Sequence, residues 1–322
     1  MEESNNQEDA INNNGNNVNE EEDYDEDNIL YTFKLDKKTL NNLKQNDPSV
    51  TDFTLGLHNS GDREPFFNSI DWKENGDCIA NNTHLKRLRI YHNATAVFSQ
   101  QYILGDEGHN LPKRQQLQEF FSCIYRNSSI HQIEIIAIDI SDEFGGGLIE
   151  GLSGHSSLVR FEIGQYSRLG SRCISALGKI LKHPKSKLKV LSLPNCQVNE
   201  ESFSIICDAL LGNTKMKSIC LKGNTKITST GWRALSTVLQ HPDCKLTNLD
   251  LGWTKTNDEG AIIVGGALSG SSVKSLNLLF NHSISSTGWQ TFINQLSQTS
   301  VKYLDLNDNK MDDTVSSAVR SS

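Results

Sequence analysis

A short motif of the form LxxLxL returns six times in the second half of the chain, and this recurrence limits the fold more than any other feature. The copies are LVRFEI at Leu158, LKVLSL at Leu188, MKSICL at Met216, LTNLDL at Leu246, VKSLNL at Val273 and VKYLDL at Val301. Their starts lie 30, 28, 30, 27 and 28 residues apart. Each copy is followed by a segment with apolar residues at helical spacing, such as ISALGKIL from Ile174 and LSTVLQ after Trp232. A longer period lies above this one. HPKSKL, ending at Leu188, matches HPDCKL, ending at Leu246, and NTKITSTGW from Asn224 matches NHSISSTGW from Asn281. Two adjacent repeats therefore form the duplicated unit.

Toward the N-terminus the pattern loosens. LKRLRI at Leu85 and IHQIEI at Ile130 fit, and VTDFTL at Val50 reads as a first copy. The 45 residues between the starts at Leu85 and Ile130 exceed one period, which predicts an insertion, with the polar segment from Gln100 to Arg114 as its loop. Gly145, Gly146 and Gly147 fall where a strand-to-helix turn is expected, without the spacing or the Lys of a phosphate-binding loop.

Strand alternation turns the fourth and sixth residues of each copy inward, for example Leu191 with Leu193 and Leu249 with Leu251. Asn224, Asn281 and Asn309, at position nine, are expected to satisfy backbone groups in the turn that leaves the strand. Leu235, Val238 and Leu239 would pack the following helix on those leucines, and Trp232 and Trp289 would anchor each helix on its neighbour. Strands stack about 4.8 Å apart while helices need about 10 Å, so the array must curve with its sheet inside. The pattern resembles the leucine-rich repeat family, specifically the ribonuclease-inhibitor-like subclass, whose repeats alternate between 28 and 29 residues; the longer spacings here are mostly 30. The resemblance covers residues 50 to 320 and is clearest from 158. It implies an α/β leucine-rich repeat solenoid, a horseshoe with a parallel β-sheet on the concave side and helices on the convex side. Similar repeats occur in immune nucleotide-sensing receptors, in activators of the Ran GTPase and in nuclease inhibitors.

Residues 1 to 28 hold eleven Asp or Glu, nine Asn and no Lys or Arg, a composition that predicts a disordered acidic tail. The chain's formal net charge is -8, so residues 29 to 322 carry about +3 (-8 minus -11). The expected division is thus a tail at 1–28 and a repeat domain at 29–322, irregular over 29–157 and regular over 158–322. Seven cysteines, no CxxC pair and no secretory leader at the start predict reduced thiols and a cytoplasmic or nuclear protein. No run approaches the roughly 18 apolar residues of a membrane helix. After Asn309 the sequence leaves room for a short helix but not for a polar cap over the last repeat.

Positions three, five, seven and eight should line the concave wall. In the N-terminal repeats they supply Arg87, Arg89, Tyr91 and Arg160; toward the C-terminus they supply Asp250, Trp253, Phe280, Tyr303, Asp305 and Asp308. Aromatic groups among carboxylates suit a protein-binding hot spot, and the basic group offers a place for a partner's acidic surface or for the acidic tail. The expected function is therefore binding of a protein partner through the concave face. A GTPase regulator, as the resemblance to Ran activators suggests, and a purely structural scaffold are the alternatives. No catalytic, cofactor-binding or metal-binding residues are assigned. DLNDNKMDD from Asp305 lacks the Gly and Glu of a calcium loop. The few inner-wall arginines and the acidic tail speak against nucleic acid.

Overall fold

The structure is a computed structural model that describes residues 31–34, 37–59, 72–92, 103–104, 114–136, 139–140, 142–164 and 169–313. The acidic segment 1–28 and most of the expected loop from Gln100 lie outside them. Among the described residues the strands are β1 (Tyr31–Lys34), β2 (Asp52–Asn59), β3 (Arg87–His92), β4 (Ile103–Leu104), β5 (Gln132–Ile136), β6 (Asp139–Ile140), β7 (Arg160–Gly164), β8 (Val190–Ser192), β9 (Ser218–Cys220), β10 (Asn248–Asp250), β11 (Ser275–Asn277) and β12 (Tyr303–Asp305). The helices are α1 (Lys37–Lys44), α2 (Trp72–Asn81), α3 (Arg114–Arg126), α4 (Asp142–Gly151), α5 (Ser171–Lys182), α6 (Glu200–Leu210), α7 (Ser229–Gln240), α8 (Asp258–Leu268) and α9 (Ser286–Leu296).

The motif folds as its periodicity predicts. Leu191, Leu193, Leu249 and Leu251 are buried, and Leu235, Val238 and Leu239 of α7 close over the same core. One ten-stranded sheet runs β1-β2-β3-β5-β7-β8-β9-β10-β11-β12, parallel throughout except for β1, which pairs antiparallel with β2 and was not anticipated. The insertion carries structure of its own: β4 pairs with β6 in a separate two-stranded sheet. Gly145, Gly146 and Gly147 lie inside α4 and not in a turn, where Gly146 lets the Arg172 side chain of the next helix approach closely.

The position-nine asparagines tie neighbouring repeats together. Asn224 Nδ2 donates to the Leu193 and Leu221 carbonyls, while its Oδ1 accepts from the Cys196 and Val198 amides of the preceding repeat. Asn281 likewise donates to Leu251 and Leu278 and accepts from the Thr256 amide. Each asparagine thus satisfies its own turn and the one before it. The repeats before Asn224 and Asn281 carry Cys196 and Thr254 at position nine, in step with the two-repeat period, whereas Asn309 follows directly on Asn281 and bonds back to its turn in the same way.

Trp232 and Trp289 are core residues, 1% and 0% exposed, set edge-on to Phe203 and Phe292. Gly260 makes room for Trp232: a Cβ there would lie 2.6 Å from the indole ring. All seven cysteines are free thiols, five of them buried. Among the described residues, no helix is long and apolar enough to cross a membrane.

Candidate functional site

Strand register sorts the predicted wall residues into columns. Position three runs Asp52, Arg87, Gln132, Arg160, Val190, Ser218, Asn248, Ser275, Tyr303, and position five runs Thr54, Arg89, Glu134, Glu162, Ser192, Cys220, Asp250, Asn277, Asp305. In the N-terminal half, charges face their opposites. Arg87 meets Asp52 at 3.1 Å, Arg89 Nε meets Glu134 Oε2 at 2.6 Å and Arg160 meets Glu162 at 2.9 Å. Glu134 is only 6% exposed and also accepts a hydrogen bond from Gln132, so its charge needs these partners. The expected basic patch is therefore charge-balanced: three arginines stand against three carboxylates. Tyr91 lies half-buried on the same stretch of sheet, in register with Gly56 and Ile136.

The C-terminal half is different. Asp250 Oδ1 accepts from the Gly252 amide, Asn277 Oδ1 from the Leu279 amide and Asp305 Oδ1 from the Asn307 amide. Position five thus braces the exit from each strand with a local side-chain-to-backbone bond. The second Asp250 oxygen accepts from the Cys220 thiol, which burial and then that carboxylate push up to about 11. Among the described residues, no basic side chain lies within ion-pair range of Asp250, Asp305 or Asp308.

Trp253 and Phe280 do not stand on the sheet floor. They occupy position eight, in the turn leaving the strand, where the backbone takes the left-handed conformation in five successive repeats. The φ values are 55° at Asn195, 76° at Gly223, 58° at Trp253, 60° at Phe280 and 53° at Asp308. Asn, Gly and Asp adopt this conformation readily; for bulky aromatic residues it is strained, by about 1–2 kcal/mol each. The two rings stack face to face, with centroids 3.9 Å apart and planes 9° from parallel. His282 extends the stack at 4.4 Å from Phe280, and its Nε2 lies 2.6 Å from the Asp308 carbonyl. Trp253 is 44% exposed. Tyr303 is 71% exposed but sits at position three on β12, at the other end of its strand, so the third predicted aromatic is not part of this stack.

His282 was not among the sequence candidates. Its signal was positional: a ring at position ten follows the buried Asn281 into the same turn that presents position eight.

No family model matches the chain. Over 137 residues, 42% of this chain and 13% of the relative, it is 32% identical to mouse NACHT, LRR and PYD domains-containing protein 9C. It is 38% identical over 78 residues, 24% of this chain and 8% of the relative, to the cattle protein 9 of that name. Among solved structures, the leucine-rich repeat-containing protein LegL7 from Legionella pneumophila superposes with a TM-score of 0.50 at 12% identity, covering 90% of this chain and 95% of that one. The chain is a leucine-rich-repeat solenoid. The matched stretches span about a tenth of the curated relatives, so the likeness is one of repeat architecture.

Proposed function

We propose that this solenoid is a protein-binding module of the ribonuclease-inhibitor-like type, and that its C-terminal half, at the rim of the concave face, makes the dominant contact. The observation that carries this reading is the Trp253–Phe280 stack. Two large rings, Trp253 exposed and Phe280 half-buried, are held parallel on backbone where glycine or asparagine would be less strained. Strain of that kind concentrates at binding sites, and exposed aromatics anchored against one another provide rigid apolar area at little entropic cost. Asp250 and Asp305 at position five and Asp308 at position eight, next to Phe280 in its own column, would orient a partner by charge.

The test is affinity capture from the native cell extract, comparing the wild type with Trp253→Ala/Phe280→Ala and with Tyr303→Ala, all three checked for folding by circular dichroism. The double variant should lose a partner that the wild type and Tyr303→Ala both retain. Equal recovery by all three would sink the proposal. A GTPase among the captured proteins would make a hydrolysis assay the next step and bring in the regulator reading.

A further inference from the structure

Each strand is entered through a turn, and these entry turns form a rim on the opposite side of the sheet from Trp253 and Phe280. Over the five repeats from Leu188 onward, the turns at 183–189, 213–217, 241–247, 270–274 and 298–302 contain eight lysines and one carboxylate, Asp243. Their position-two residues are laddered directly. The Lys217 amide donates to the Lys189 carbonyl, Thr247 to Lys217, Lys274 to Thr247 and Lys302 to Lys274, each at 2.8 Å. Lys189, Lys217, Lys274 and Lys302 therefore form one row, roughly 19 Å long for four strand spacings, with Lys187 and Lys245 beside it. All six side chains are exposed, and none is in an ion pair among the described residues.

Like charges on adjacent strands repel, so such a row weakens the sheet unless something neutralises it. Helix C-termini do not account for it. Favourable interaction with a helix end fades beyond the last turn, whereas Lys189, Lys217, Lys274 and Lys302 lie six or seven residues past theirs, on the strand side. The densest anionic segment in the sequence is its own start: residues 1–28, with eleven carboxylates and no basic side chain. Length permits the contact. β1 lies five strands from β8 in the sheet order, about 24 Å, while 28 residues can span up to roughly 95 Å. Tethering raises the local concentration of the segment to the millimolar range, ahead of any free polyanion.

We propose that residues 1–28 dock within the same chain along the lysine row of the strand-entry rim. This proposal uses a different face from the aromatic stack and stands or falls separately from it.

Carbodiimide cross-linking of the full chain, mapped by mass spectrometry on an equal mixture of light and heavy-isotope protein, tests it. Carboxylates of residues 2–27 should link to Lys189, Lys217, Lys274 and Lys302 at least about five-fold more often than to the exposed Lys226. The links should be within one chain and should largely vanish between about 0.05 M and about 0.5 M salt. Lys226 is the stringent control. It lies toward the strand-exit rim, the side from which β1 receives the tail, since Tyr31 pairs with Asn59 at the far end of β2. Lys187 and Lys245, whose amines lie beside the row, should also link to residues 2–27 in the wild type, and replacing Lys189, Lys217, Lys274 and Lys302 with Gln should bring those links down to the Lys226 level in a chain that remains folded. Even labelling of rim and control lysines, undiminished links to Lys187 and Lys245 in the Gln variant, or mainly mixed-isotope links would each overturn docking in cis.

Discussion

From β2 to β7 the main-sheet strands run for eight, six, five and five residues, whereas from β8 to β12 each runs for three. The same motif feeds both halves, so the difference lies in the residues just after it. In the first half, position eight can remain in the sheet: Leu57 of β2 pairs with His92 of β3. Such strands present long rows of side chains to one another, and Arg87, Arg89 and Arg160 are absorbed in ion pairs across and along them. In the second half a left-handed position eight, joined from β10 to β12 by a braced position five, coincides with the shorter strands. Positions that would have been wall become rim, and Trp253 and Phe280 stand past the strand ends, their amides still donating to the Leu279 and Asn307 carbonyls of the next repeat. Strand length thus decides which letters of one repeat are free to bind.

If the second half depends on its buried asparagines, their removal should have the largest effect. Asn281 is 0% exposed and holds three backbone groups at 3.0 Å or less, the Leu251 and Leu278 carbonyls and the Thr256 amide. Asn281→Ala strands all three, and we expect a loss of roughly 3–5 kcal/mol in chemical denaturation. Asn309 makes equivalent bonds to Leu278 and Leu306 but is only half-buried at the last described strand, where water can substitute. Asn309→Ala should cost about 1 kcal/mol; similar losses at the two positions would show that the ladder is not what shapes this half. The first half has its own dependence. Arg89→Ala leaves Glu134 buried with Gln132 as its remaining side-chain partner, for an expected loss of about 1–3 kcal/mol, whereas Tyr303→Ala at the exposed end should stay within about 0.5 kcal/mol.

The array was legible because its period is carried by buried residues that cannot vary freely: Leu191, Leu249 and their equivalents announce every strand from β7 to β12. The duplicated HP and STGW segments were legible for the same reason, since a core tryptophan and the small residue beside it must recur together. What sequence could not reveal was set by backbone conformation or by pairing across repeats. Nothing in the letters around Trp253 says that φ is positive there, so placing it on the inner wall followed the alternation one step too far. Arg89 read as a free cation because Glu134, its partner, lies 45 residues away in sequence. β1 was missed because a four-residue antiparallel edge carries no period.

The aromatic stack offers a sharper break between the halves, because binding should there fall with little loss of stability. Trp253→Gly removes left-handed strain of about 1–2 kcal/mol but also a stacking interaction of about 0.5–1.5 kcal/mol. The expected net change in denaturation free energy lies between about -0.5 and about +1.5 kcal/mol, together with at least a ten-fold loss of partner affinity in a titration. The core counterpart Trp232→Ala should instead lose several kcal/mol. A strongly destabilised Trp253→Gly would mean that the stack is structural and the binding proposal wrong.

The smallest effect concerns a device that both halves share, a first-turn Asp that reaches the start of the next helix. Asp142 at the start of α4 accepts from the Arg172 and Cys173 amides of α5, and Asp258 at the start of α8 accepts from the Ser285 amide and hydroxyl before α9. Burial works to raise the Asp142 carboxyl, but the Cys173 and Arg172 amides outweigh it and hold the group below the usual carboxylate value. A depressed folded-state value stabilises the native state above the unfolded value of about 4, and that contribution disappears as pH falls through the folded value. Asp142→Ala should therefore cost about 1 kcal/mol at neutral pH, and its denaturation curve should converge on that of the wild type as pH drops below about 4. A difference that persists undiminished in acid would show that Asp142 acts through packing against Gly170, and that this link between neighbouring helices does not depend on charge.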